Sequence, residues 1–190
     1  MLFSEPSESF FTAGYRSPLG PLELAMSERG LAGIAFAARA PRFPAQQNRN
    51  VRWTERPERF AEVRLQLDEY FAGTRRQFDL PLDLRGPEFY LRCWQALLRI
   101  PYGETWSYAQ LAAEVGSPRS SRAAGQANHH NPVAIVVPCH RVIASDGSLA
   151  GFGGGLAAKE FLLKLEGARF RPRLPDLASK QGKLFDGSPV

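Results

Sequence analysis

The chain has 190 residues, with 24 Lys and Arg against 19 Asp and Glu for a formal charge of +5, and it is 44% apolar and 23% charged. These are the proportions of a soluble globular protein with one good core or two small domains, and the basic excess is a mild hint of a polyanionic partner. No apolar run approaches the ~18 residues of a membrane span. The N-terminus MLFSEPSESF lacks a secretory pattern. Cys93 and Cys139 are too few for a disulfide framework or a four-thiolate zinc site, so a reduced, cytoplasmic protein with a reactive rather than structural cysteine is expected.

Residues 1–9 are polar and read as loose. From Phe10 to Phe36 the alternation of Leu22, Leu24 and Met26, a turn at 27–30, and resumed alternation at Ile34 and Phe36 predict a short meander. Residues 39–50, rich in Pro, Asn and Gln, read as a surface loop. A helix is predicted from about Arg56 to Ala72, with Phe60, Val63, Leu67, Tyr70 and Phe71 on one face and Gly73 at its end. Phe78, Leu80, Leu82 and Leu84 alternate, but Pro81 limits them to an edge strand or an extended connector. The domain boundary is placed at residues 80–87.

A second unit opens with a helix from about Glu88 to Arg99, in which Cys93 is a small hydrophobe of the apolar stripe. Pro101-Tyr102-Gly103 ends it. Thr105 or Ser107 can cap a helix running to about Val115, 116–118 turn, and a further helix spans about Arg119 to His129. This is either a DNA-binding helix–turn–helix or an ordinary packed pair. The later helix carries Arg122, Ala123, Ala124, Gly125 and Ala127; small residues permit close approach to a neighbouring helix, or to the floor of a minor groove about 6 Å wide. His129 and His130 read as polar surface residues.

The run NPVAIVVPCHR (131–141) places five apolar residues between two prolines and ends in Cys-His. It reads as a buried extended segment that delivers Cys139 to a surface or cleft where the chain turns. A free thiol, with a pKa of about 8.5, needs a base or a cation nearby, and His140 is the nearest base. The Gly-rich stretch 151–155 is backbone that can approach a ligand, and is not a phosphate loop. A last helix, Leu156 to Glu166, buries Ala158, Phe161, Leu162 and Leu165, with Gly167 beyond it. Glu166 sits in its last turn, where the helix dipole disfavours a carboxylate by roughly 0.3–1 kcal/mol, and could orient His140 in a Cys–His–Glu relay. Arg141 reads as structural. The tail from Arg169 reads as irregular.

The run from Asn131 to Gly167, with PCHRV at 138–142, closely resembles the active-site region of the O6-alkylguanine-DNA alkyltransferases, and the likeness extends back through IPYGETWSYAQLA (100–112) and SRAAGQAN (121–128). The resemblance implies an α/β (α+β) chain: a small N-terminal strand–helix domain over 1–80, ribonuclease H-like in the family, then a mainly helical domain with a DNA-binding helix–turn–helix over 86–170. An irregular basic tail (171–190) follows. It implies irreversible single-turnover transfer of the alkyl group from O6-alkylguanine, and O4-alkylthymine, in double-stranded DNA to Cys139. The DNA would be bound through the minor groove with the base flipped. His140 would be the base acting through water, Glu166 its polarising partner, and Tyr108 a donor to the leaving guanine. Arg122 would fill the vacated base stack and Ala123 allow close groove approach. Asn131 would join the DNA-reading helix to the active-site segment, and Ser117 and Ser145 would contact the DNA backbone or pocket rim. Val142, Phe152, Gly153 and Gly154 would line the base pocket, with the carbonyls of Cys139 and Val142 reading the exocyclic amine. A monomer with no metal, no cofactor and no membrane partner is expected, cooperative assembly on DNA being left open. Ala134, Phe152 and Trp106 depart from some relatives. Two other readings compete with alkyl transfer. One is a module that flips alkylguanine without reacting, whose relatives carry tryptophan in place of the cysteine. The other is a cysteine hydrolase.

Overall fold

The structure, a computed structural model, describes residues 8–37 and 51–172. The expected loop at 39–50 and the tail beyond 172 lie outside the described residues. Alternation in the N-terminal unit produces the meander that the pattern predicts: β1 (Glu8–Ser17), β2 (Gly20–Ser27) and β3 (Gly30–Phe36) pair antiparallel in sequence. Glu8 and Ser9, read as loose, belong to β1, where Glu8 pairs with Val51. A fourth strand, β4 (Val51–Glu55), runs parallel to β1, giving the order β3-β2-β1-β4. Its five residues follow a polar stretch of sequence and lack any local hairpin signal, and its place rests on pairing with β1 and on the cross-strand stack of Trp53 on Phe10, at 4.8 Å.

One face of the sheet carries Phe11, Ala13, Tyr15, Leu22, Leu24, Leu31, Ile34 and Phe36 into the main core. Against it packs α1 (Ala61–Phe71), preceded by a 3-10 turn at Pro57–Phe60 that replaces the first turn of the expected helix. Pro57 at the start of that turn suits its fixed φ. Phe60, Leu67 and Tyr70 are fully buried, and complete burial of each such side chain is worth about 1.5–3 kcal/mol.

β3 is an edge strand, and its free edge is where the second half of the chain attaches. Leu31 N donates to Pro81 O at 2.8 Å and Asp83 N to Leu31 O at 2.9 Å, so the connector covers half the edge. At Gly30 a Cβ would lie 2.3 Å from Pro81 O, which is why that position has no side chain. Further along, Ile34 N donates to Pro132 O (2.9 Å) and Ala134 N to Ile34 O (3.2 Å).

The C-terminal unit contains α2 (Glu88–Leu97), β5 (Trp106–Ser107), α3 (Tyr108–Glu114), α4 (Ser121–His129), β6 (Val142–Ile143) and α5 (Leu156–Leu165). Ser107 starts α3 with a reciprocal capping box: Gln110 N donates to its hydroxyl at 3.1 Å, and Ser107 N to Gln110 Oε1 at 2.7 Å. Trp94 on α2 is buried and donates from its indole to Ala127 O at 2.8 Å, locking α2 to α4. A single hydrophobic cluster runs from the sheet through α1 and α2 to the Cys139 segment. In α5 the buried face is Ala158, Lys159, Leu162 and Leu163, while Phe161 is 38% exposed, contrary to the expected stripe. No helix among the described residues is long and apolar enough to cross a membrane.

Candidate active site

The segment from Asn131 to Arg141 is buried as expected but is not extended. Asn131 closes it into a compact loop: its Nδ2 donates to Val137 O at 2.7 Å, and its Oδ1 accepts from Val133 N at 3.1 Å. Val137 N donates to Val133 O, and Val136 N to Ala134 O. Ile135 takes φ 75, a left-handed conformation that a β-branched side chain adopts only under tertiary constraint. The chain then enters a 3-10 turn at Cys139–Arg141. Cys139 is 5% exposed, so the turn holds the thiol beneath the surface rather than displaying it.

His140 is fully buried, and its Nε2 lies 2.8 Å from Glu166 Oε1. Glu166 is the C-cap of α5, as its place in the sequence suggests. Its two oxygens are crowded with donors. Oε1 also accepts from the Tyr70 hydroxyl (2.6 Å) and Arg141 Nη2 (3.0 Å), and Oε2 accepts from Arg141 Nε (2.8 Å) and Gly103 N (3.3 Å). Burial would raise the Glu166 carboxyl, but the donors from His140 and Arg141 outweigh it and hold the pKa down at about 2. An ionised Glu166 fixes the tautomer: Nε2 carries the proton toward the carboxylate, and Nδ1 keeps its lone pair. That Nδ1 has no hydrogen-bond partner among the described residues, so it is free to take a proton. Burial pushes the imidazole below its ordinary value against the pull of Glu166, leaving a neutral base.

Burial also pushes the Cys139 thiol up, and the Asn131 carboxamide and the charge of Lys159 act in the opposite direction. The sequence gives no sign of the part Lys159 plays, because a lysine amid an apolar stripe reads as solvated. It is 0% exposed, and its Nζ donates to Val142 O (2.6 Å) and Ala150 O (2.8 Å). Burial lowers its pKa to about 8. The ammonium is therefore a strut between the strand leaving the Cys139 turn and the start of the glycine-rich loop. Asn128 Nδ2 donates to Cys139 O at 3.2 Å. Val142 N also donates to Cys139 O, so both carbonyls expected to read a base amine already accept within the protein, Cys139 O from two donors and Val142 O from Lys159.

The glycine-rich loop turns Phe152 inward, 6% exposed, with its ring edge-on to His140 (6.4 Å) and to Phe36 (5.5 Å). Gly153 and Gly154 follow, and a Cβ on Gly154 would lie 2.5 Å from the Phe36 ring. Tyr108, at the start of α3, is half-buried; burial and the nearby Cys139 raise its phenol. A Cβ on Gly125 would lie 3.7 Å from the Tyr108 ring, and Ala124 and Ala127 are buried, so these small residues serve the packing of α4 against its neighbouring helices. Arg122 and Ala123 are exposed on α4, Ser117 lies in the turn between the two helices, and Ser145 is exposed after β6. A cavity of about 630 Å³ lies on the far side of the turn, lined by Arg76, Phe78, Leu98, Tyr102, Pro138 and Arg141; Cys139 does not face it. Among the described residues no group of three or more His, Cys, Asp or Glu could hold a metal ion.

The family model of the 6-O-methylguanine DNA methyltransferase DNA-binding domain matches residues 88–168, and that of the ribonuclease-like domain matches residues 11–84. A methylated-DNA–protein-cysteine methyltransferase of Methanosarcina acetivorans is 46% identical over 158 residues, which is 83% of this chain and 99% of that one. Its counterpart in Mycolicibacterium paratuberculosis is 49% identical over 150 residues, 79% of this chain and 88% of that one. The crystal structure of Mycobacterium tuberculosis O6-methylguanine methyltransferase aligns with a TM-score of 0.74 at 44% identity, covering 90% of this chain and 98% of that chain. A structure of the M. tuberculosis protein in complex with DNA also gives 0.74, at 45% identity, covering 83% and 92%.

Proposed function

The chain belongs to the methylated-DNA–protein-cysteine methyltransferase family, and from that membership we propose the following chemistry for its own residues. The protein repairs DNA by moving the alkyl group of O6-alkylguanine, and of O4-alkylthymine, onto Cys139. The observation that carries the assignment is the buried turn in which Cys139 precedes a histidine with one nitrogen on a carboxylate and the other unpartnered among the described residues.

Residues 86–170 bind double-stranded DNA from the minor groove, with Arg122 and Ala123 on the exposed face of α4 and Ser117 and Ser145 beside the phosphates. Arg122 fills the stack left by the flipped base, which enters the pocket formed by Val142, Phe152, Gly153 and Gly154. His140 Nδ1 takes the Cys139 proton through water, with Lys159 favouring the thiolate. The sulfur attacks the alkyl carbon, the S–C bond forms as the C–O bond breaks, and the electron pair leaves on the guanine oxygen. Tyr108 donates a hydrogen bond to the departing base, which ends with the proton. The thioether has no route back to thiol, so each monomer acts once, on chromosomal DNA in the cytoplasm. Mixing the protein with duplex DNA carrying label in the methyl of O6-methylguanine should put one label on each molecule, at Cys139 by peptide mass. Cys139→Ala should acquire none; label transfer that survives this substitution would overturn the assignment.

A further inference from the structure

Glu166 belongs to the C-terminal unit, yet one of its closest donors comes from 96 residues earlier in the chain: the Tyr70 hydroxyl on α1, 2.6 Å from Oε1. We propose that Tyr70, supplied by the N-terminal unit, is a positioning residue of the alkyl-transfer relay, sharing Glu166 Oε1 with His140 and so setting the orientation and proton affinity of the imidazole. This deepens the alkyl-transfer reading and rests on it.

The geometry leaves the hydroxyl one role. Glu166 is ionised, and burial followed by the Glu166 charge pushes the Tyr70 phenol well above its ordinary value, so Tyr70 donates and the carboxylate accepts. Oε1 then takes three donors, from Tyr70, His140 and Arg141, while Oε2 takes Arg141 and Gly103. A carboxylate offers about four lone-pair sites, so Glu166 is saturated and its charge is spread over its donors. Such a carboxylate orients the imidazole without holding a second proton on it tightly, which keeps His140 neutral and able to accept at Nδ1. Without Tyr70 the Oε1 charge falls more heavily on His140, and the imidazolium becomes easier to form.

Tyr70 is well placed to act as a fixed reference. It is 0% exposed, and its ring is held by Phe71 (5.5 Å, 70°), Phe78 (5.2 Å) and Tyr102 (6.2 Å, 83°). Tyr102 in turn donates to Leu165 O at 3.0 Å, next to Glu166. Rotation of Glu166 away from His140 would break the hydrogen bond from this fixed hydroxyl as well as the ion pair to Arg141. The hydrogen bond therefore makes the docking of the N-terminal unit a condition for a correctly aimed base.

The test is the pH dependence of single-turnover methyl transfer from labelled duplex DNA, comparing wild type with Tyr70→Phe, which removes one oxygen and keeps the ring. Because a neutral His140 is required, the rate falls as pH drops through its pKa. Loss of the donor raises that pKa, so the acidic limb should move up by about one pH unit, with about a tenfold rate loss on the limb and little change on the alkaline plateau. A purely structural tyrosine would lower the Tm and scale the whole curve without moving the limb. Tyr70 replaced residue-specifically by 3-fluorotyrosine, a stronger donor of nearly the same size, should move the limb the other way and guards against poor folding of the Phe variant. In a Glu166→Gln background, Tyr70→Phe should have no further effect on the limb. An unmoved limb in both folded variants overturns the role of Tyr70 while leaving alkyl transfer intact. Absence of label on wild-type Cys139 overturns alkyl transfer itself.

Discussion

Replacing Glu166 with Gln tests the relay and the fold together. The side chain keeps its size and loses its charge, leaving buried Arg141 without a counterion and offering His140 Nε2 a neutral amide. The carboxyl is held at about 2 against an ordinary 4.5. At about 1.4 kcal/mol per tenfold, that difference is worth about 3 kcal/mol at neutral pH, within the roughly 3–5 kcal/mol range for removing one partner of a buried ion pair. The sign follows from the direction of the shift. A depressed folded-state value gives stability that is complete above about 4.5 and is lost as pH falls toward about 2. Urea unfolding followed by Trp94 fluorescence, fitted with a common m-value, should show the variant about 3 kcal/mol less stable at pH 7. The gap should narrow by roughly 2 kcal/mol by pH 3, where the carboxyl is protonated in unfolded wild type but still ionised in the folded protein, so that unfolding takes up a proton. A gap that stays constant with pH would refute the argument that the Glu166 charge itself holds the turn.

Lys159→Met should slow carboxymethylation of Cys139 at neutral pH about tenfold, measured in a Cys93→Ala background, because the thiol loses its nearby cation; an unchanged rate would remove Lys159 from the electrostatics of the site. The same change should cost about 1–3 kcal/mol, as the carbonyls of Val142 and Ala150 lose their donor. Arg122→Ala should slow repair of a fully paired lesion about tenfold and spare a lesion opposite a gap, since flipping costs a few kcal/mol only when the base is stacked and paired. Equal effects on both substrates would count against a stack-filling role. Gly154→Ala should lower stability by about 1–3 kcal/mol, because its Cβ would lie 2.5 Å from the Phe36 ring; an unaltered Tm would show that Phe36 yields freely.

Local chemistry made much of the molecule readable. The Ser107 cap, the leucine alternation of β2 and the helix with Gly73 beyond it each depend on neighbours within a few residues. The residues around Cys139 were readable as a motif but not as a shape. Five β-branched or small apolar residues favour an extended chain, yet the Asn131 carboxamide and the edge of β3 fold them into a loop with Ile135 left-handed. Tertiary partners overrode propensity. The same reason hides Lys159 and Tyr70. Helical periodicity tells which residues share a face, and a lysine on an apolar face is discounted unless one knows that Val142 O and Ala150 O wait for it. Phe161 looked buried because it is apolar, but turning Lys159 inward turns Phe161 out. Nothing near Tyr70 in the sequence points to Glu166.

The strain at Ile135 bears on how far the two halves depend on each other. A β-branched residue in the left-handed region costs about 1–3 kcal/mol, so something must hold it there. Within the C-terminal unit the constraints are the Asn131 carboxamide and the short loop bonds. Two more bonds join Ile34 on β3 to Pro132 and Ala134, on the N-terminal side of the strained residue. At about 0.5–1.5 kcal/mol each, that pair is comparable with the strain itself. Phe36 packs on Gly154 and Phe152 of the glycine-rich loop, and Tyr70 reaches Glu166. The N-terminal unit thus contributes to the loop before Cys139, the glycine-rich loop beside His140 and the carboxylate behind it. Separated from that unit, the segment from Asn131 to Arg141 would keep the Asn131 bonds and lose the two to Ile34, so that the opposition to relaxation of Ile135 would fall by about the size of the strain.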